Sequence, residues 1–224
     1  TYSCFFHEIF KNNVGKFEIK NNENRYNKRA KRKIYYFCFC SKLLVSMEYP
    51  MKIFFISKKT SSLQKKEITQ ICLLKNTFWK YNLKNQLLWF SKNIKSNDIH
   101  NMIKFRDKIL GYTCLRKRTF LLNNIKEKYL LFDTLIIDKK IRGKKISKSL
   151  MNFNNEIITK TKRISFLFCK KNLISFYKNN GWKKVASKST KVVDHSEYIY
   201  KVMKLNDFHN LNHKAKKIII YTNK

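Results

Sequence analysis

The chain has 224 residues, 43% of them hydrophobic, with 18 Phe, 12 Tyr and 3 Trp, which excludes a wholly disordered protein and leaves room for one domain with an appendage. Its formal net charge of +36 points to nucleic acid, anionic lipid or an acidic substrate. Only eight of the 50 basic residues are Arg, however, amid abundant Lys, Asn, Ile, Phe and Tyr and only four Gly and one Pro. That bias is what an AT-rich coding sequence produces, and a dedicated RNA or DNA surface draws more heavily on the planar Arg fork. The charge is therefore read as compositional first and as a nucleic-acid surface second.

Six Cys form no C-x-x-C pair, and joining Cys38 and Cys40 to the H-x3-H pair His209 and His213 would span most of the chain, so no metal is expected. Scattered thiols suit a reducing compartment, and no apolar run approaches the length of a membrane span; a cytoplasmic protein without a membrane partner is expected. Residues 1–46 stand apart. They hold the basic cluster Lys28 to Lys33 and an apolar stretch from Ile34 to Cys40 but no sustained period. We set them aside as a basic N-terminal extension, disordered or lying upstream of a start at Met47 or Met51.

From residue 51 the pattern becomes regular. A strand over 51–57 precedes a helix from about Ser62, with Thr60, Ser61 and Ser62 as cap candidates and Ile68, Ile71, Leu74 and Phe78 at helical spacing. A second helical piece runs from Leu83 to Ile94. A hairpin follows, Met102–Arg106 and Ile109–Leu115 about an Asp107-Lys108 turn. The nearly unbroken apolar run Tyr129 to Ile137 suits a strand covered on both faces. A basic loop, Asp138 to Lys144, leads to a helix over Lys145–Thr161 with Ile146, Leu150, Phe153 and Ile157 inward. Ile164–Cys169 reads as a strand and Leu173–Asn180 as a short helix that Gly181 ends as a left-handed cap. A last hairpin pairs Trp182–Ser187 with Tyr198–Lys204. Residues 206–224 form a basic tail with a strand-like patch, Ile218 to Tyr221. The sum is an α/β (α+β) fold, a mixed sheet flanked by helices.

The chemistry concentrates at residues 135–150. A buried strand enters a short basic loop with one glycine and then a helix N-terminus, where free N–H groups and the positive end of the dipole favour an anion. Arg142, Lys144 and Lys145 add charge around it. Asp133 is an isolated carboxylate in the apolar run, either a proton acceptor or one half of an ion pair. His100 reads as a surface-loop histidine and only secondarily as a base. Trp79, Tyr81 and Trp89 read as core.

Arg142-Gly143-Lys144-Lys145-Ile146-Ser147 resembles motif A of the GNAT N-acetyltransferases, with Lys145 and Ser147 where that family has small residues. Phe176-Tyr177 followed by Gly181-Trp182 is similar to the family's F-Y-x-x-x-G-F/W element, and Ile109-Leu110-Gly111-Tyr112 to the strand before the motif; three of the four glycines thus fall at family positions. The resemblance covers 51–205. It implies a GNAT acyl-CoA N-acyltransferase fold and an acetyl transfer from acetyl-CoA to a primary amine in a ternary complex, by a monomer or homodimer. It further implies that Leu135, Ile136 and Ile137 bind the pantetheine arm and that residues 142–147 cradle the pyrophosphate: Arg142, Gly143, Lys144, Lys145, Ile146 and Ser147. Asn172, an N-cap candidate, is a further cofactor contact by the same likeness. Asp133 would be the base and Tyr177 the acid. The competing reading is a non-catalytic protein of this fold that binds RNA or DNA.

Overall fold

The computed structural model of the protein describes residues 34–37, 52–143, 145–185, 190–193, 201–206 and 217–223, all within the unit Lys33–Lys224. In chain order these form β1 (Ile34–Phe37), β2 (Ile53–Lys59), α1 (Lys65–Asn76), α2 (Asn82–Asn93), β3 (Ile99–Phe105), β4 (Lys108–Leu122) and β5 (Ile125–Ile137). There follow α3 (Ile146–Lys160), β6 (Ser165–Cys169), α4 (Ile174–Lys178), β7 (Lys183–Lys184), β8 (Thr190–Val193), β9 (Lys201–Leu205) and β10 (Ile218–Tyr221). The strands make one mixed sheet in the order β1-β2-β3-β4-β5-β6-β9-β7. β10 continues the edge of β4 where β3 leaves it, pairing at Phe120–Leu122, and carries β8 parallel on its far side. This is the expected mixed sheet flanked by helices.

Face assignment follows from side-chain alternation along the central strands. Met102, Tyr112, Cys114 and Ile136 point to α1 and α2, where Ile71, Cys72, Leu74 and Phe90 cover them. Ile103 and Ile137 point the other way, onto Ile146, Leu150 and Phe153 of α3. Gly111 is where the two layers constrain each other most tightly. A Cβ there would lie 2.8 Å from Ile103 Cδ1 and 2.9 Å from Ile137 Cδ1, so any other residue must displace the end of one of those side chains.

Several boundaries move relative to the sequence reading. Helix α1 begins at Lys65 because Gln64 and Glu67 form a reciprocal capping box, whereas Thr60–Ser62 make a 3-10 turn; Phe78 lies beyond the helix and is exposed. The β3–β4 turn is Arg106-Asp107, with Arg106 at φ +50. β4 and β5 run past their expected starts and ends to meet at Asn123-Asn124, whose φ values of 50 and 67 fit the turn that matches strand twist. The final hairpin forms as β7 with β9, but β8 intervenes and joins β10 instead. Two strands lie outside 51–205 and belong to the sheet: β1, antiparallel to β2, and β10.

Candidate active site

β5 decides where the sheet opens. β6 runs parallel to it but pairs only at Leu130↔Ser165 and Leu131↔Phe166, while β5 continues to Ile137. Beyond Leu131 the two strands splay, and one backbone edge of β5 has no strand partner among the described residues. A cavity of about 1170 Å³ occupies the wedge, walled by β5 from Leu131 to Ile137, by Leu167 and Phe168 of β6, and by Tyr177 of α4. One end reaches Arg142, Gly143 and Ser147; the other reaches α1–α2 and the C-terminal Thr222 and Asn223.

Midway along that wall the strand bulges. Cys114 pairs with Asp133 and Thr113 with Leu135, so Thr134 is one residue too many and sits at φ +64, a strained conformation for a β-branched residue. The insertion reverses the alternation. Leu130 and Phe132 face the α3 side before it, Leu135 and Ile137 after it. Asp133 is thereby held on the α1–α2 face, where its carboxylate accepts from Arg116 Nη1 and from Thr134 Oγ1, each at 3.2 Å. The ion pair weighed for Asp133 thus exists, with Arg116 as its partner and a quarter of the Asp133 side chain still exposed.

The loop after β5 is tied down on one side and open on the other. Asp138 donates its N–H to Leu110 O at 2.7 Å and caps Lys140, Ile141 is buried as an anchor, and Arg142 Nε donates to Ile137 O at 2.9 Å. Gly143 has φ +83, and a Cβ added there would meet nothing within 4 Å, so its backbone stands open to the cavity. Lys145 is the N-cap of α3 at φ +55 and caps nothing with its side chain; the first helical bond runs from Ser149 N to Lys145 O. The N–H groups of the first turn have no intrahelical acceptor.

Of the residues singled out in the sequence, Asp133, Leu135, Ile136, Ile137, Arg142, Gly143, Ser147 and Tyr177 all line this cavity. Ile146 does not; it is buried in the core beside Ile141 and Leu150. Lys145 and Asn172 are exposed and off the cavity wall, and Asn172 caps no helix, since Lys170 opens its 3-10 turn and the neighbouring Leu173 reaches the cavity instead. Lys144 lies outside the described residues. Tyr177 is 8% exposed and packs edge-on to Phe132; burial, with the Cys169 thiol beside it, pushes its phenol up to about 12, so it keeps its proton at neutral pH.

His100 is no surface residue. It is fully buried on β3 between Thr60 Oγ1 and Tyr112 Oη, both at 2.8 Å, and burial holds its pKa down at about 4. It does not line the cavity. Trp79, Tyr81 and Trp89, read as core, line the α1–α2 end, together with Lys75 and Arg116, which sequence reasoning passed over. Among the described residues no group of three or more His, Cys, Asp or Glu could hold a metal, and no helix is long and apolar enough to cross a membrane. Cys38, Cys40, His209 and His213 lie outside those residues.

No protein-family model matches the sequence, and no curated protein matches it. Solved structures do match the fold. Escherichia coli ElaA aligns over 68% of this chain and 98% of its own at a TM-score of 0.52 and 16% identity. An acyl-CoA N-acyltransferase from Pseudomonas aeruginosa aligns over 68% and 99%, at 0.51 and 13%. A GNAT-family N-acetyltransferase, YhbS of E. coli, in complex with CoA, aligns over 79% and 93%, at 0.54 and 10%. The chain has the GNAT fold.

Proposed function

We propose that this protein is an N-acyltransferase that moves an acetyl group from acetyl-CoA to a primary amine in a ternary complex. The observation that carries the reading is the convergence, on one cavity, of the open β5 edge, the bare backbone at Gly143, Asp133 and Tyr177. These fit the donor. The α3 turn suits a pyrophosphate, and the edge of Leu135 to Ile137 suits the amides of a pantetheine arm, which would pair with it as a short added strand.

Bound acetyl-CoA would supply the thioester. Asp133 would take a proton from the attacking amine, directly or through water, because a protonated amine has no lone pair to donate. The new C–N bond forms as the C–S bond breaks, and the sulfur leaves with the electron pair. Tyr177, still protonated at neutral pH, would give that sulfur its proton and recover one from solvent. Arg116 would keep the Asp133 carboxylate oriented. Backbone N–H groups at the bulge offer a place for the charge that develops on the carbonyl oxygen.

The first test is binding. At 100 times its dissociation constant CoA stabilises the native chain by about 2.7 kcal/mol, a rise in Tm of about 5–10 °C for a protein of this size. No rise at millimolar CoA, together with RNA affinity that falls linearly with log salt, would replace this reading with the non-catalytic one.

A further inference from the structure

The far end of the cavity carries two buried cations, Lys75 and Arg116, against a single carboxylate. Lys75, at the end of α1, is only 7% exposed, yet it makes no ion pair or hydrogen bond to any described residue; its ammonium rests 3.7 Å from the centroid of the Trp89 ring. Arg116 is 5% exposed, and its guanidinium lies 5.6 Å from the same ring. It spends Nη1 on Asp133 and Nη2 on Asn223, while its Nε–H is buried with no acceptor. Asp133 is the only acidic side chain among the described residues that line the cavity. One carboxylate thus faces two cations.

Both unmet groups are costly. A desolvated ammonium over an aromatic face recovers only part of what water gave it, and burial accordingly lowers the Lys75 pKa. A buried guanidinium N–H without an acceptor carries its own desolvation cost. An oxyanion at this end would meet the Lys75 ammonium and the rim of the Arg116 guanidinium, with Trp89 as the floor. The location also separates it from the donor. Arg116 is level with Leu131 on β5, before the bulge, whereas Arg142 and Gly143 follow Ile137.

Building on the acetyl-transfer reading, we propose that the acceptor is a small amine bearing an oxyanion, a carboxylate or a phosphate, held by Lys75 and Arg116 within a few bonds of its amine. The bond from Arg116 to Asp133 fixes that short separation, since the amine must reach Asp133 while its oxyanion reaches the Arg116 side. Polycations such as polyamines and amino-sugar antibiotics meet like charge here and are poor acceptors.

Matched pairs of amines test this: phenethylamine against phenylalanine, and ethanolamine against phosphoethanolamine, with spermidine as the polycation. Release of CoA thiol from acetyl-CoA is the readout. We expect at least a tenfold higher kcat/KM for the anionic member of one pair, and that pair names the oxyanion. Lys75→Met should cut that preference about tenfold while CoA still raises the variant's Tm. Equal or better turnover of phenethylamine and ethanolamine, which lack the oxyanion, or of spermidine overturns the proposal and leaves the acyltransferase reading standing. If no amine is turned over, that reading is in question, and calorimetric titration with benzoate and with phenyl phosphate decides the present one. Binding that Lys75→Met abolishes and Lys75→Arg retains upholds the oxyanion site. Absence of binding by either anion overturns it.

Discussion

Lys145 occupies a backbone conformation that costs an L-residue about 1–2 kcal/mol and that glycine adopts freely. Its side chain returns nothing to the helix it caps. Lys145→Gly should therefore raise stability by about 1 kcal/mol, seen as a higher urea midpoint, even after the added freedom of the unfolded chain is counted. Tyr177 allows a second test on a single atom. Its hydroxyl makes no hydrogen bond to a described residue, so Tyr177→Phe should leave the Tm nearly unchanged. If the phenol is the proton donor to sulfur, kcat should fall by about a hundredfold or more with little change in KM for acetyl-CoA. An equal fall in Tm and kcat would instead mark it as packing. Such residues were legible because they recur in a motif. The partner of Asp133 was not, since Arg116 comes from the neighbouring strand and one sequence cannot say which β4 residue stands beside it.

At the scale of elements, the splay of β5 and the glycine beneath it work together. Gly111→Ala must push aside Ile103 or Ile137, both locked in the core under α3, at a cost of about 1–3 kcal/mol. Because Ile137 ends the open edge of β5, the same substitution should raise KM for acetyl-CoA more than it lowers kcat, a split that steady-state kinetics measures. The sequence showed β5, α3 and the Gly181 cap plainly, since a long apolar run, a helical period and a glycine after a helix are local signals. The bulge at Thr134 had no such signal. Tyr129 to Ile137 is apolar on both faces, so an inserted residue breaks no visible alternation. β10 was read as the strand-like patch Ile218 to Tyr221, but β8 and its pairing with β10 were obscured for another reason. Their parallel pairing joins segments about 28 residues apart and is chosen by the edge that β4 offers, not by either segment's own pattern.

Over the whole molecule, excess positive charge makes the few buried titrating groups decisive for acid stability. Glu67 is held by Lys104 at 2.6 Å and Lys58 at 2.7 Å. Burial alone would raise its pKa, but those bonds and the Gln64 amide bring it down to about 2. Its contribution is complete above the unfolded value near 4.5 and is lost as pH falls toward 2. His100 acts in a higher window. Held neutral at about 4 against 6.5 unfolded, it binds its proton more readily in the unfolded chain, so stability should decline from pH 6.5 down to about 4. Urea titrations at stepped pH separate the two. His100→Gln should flatten the decline between pH 6.5 and 4 and leave the lower one. Glu67→Gln should abolish the decline below 4.5, and because it leaves Lys58 and Lys104 facing a neutral amide, it should cost about 3 kcal/mol at pH 7. A wild-type stability that stays level from pH 7 to 4 would contradict the buried, neutral His100 on which the upper window rests.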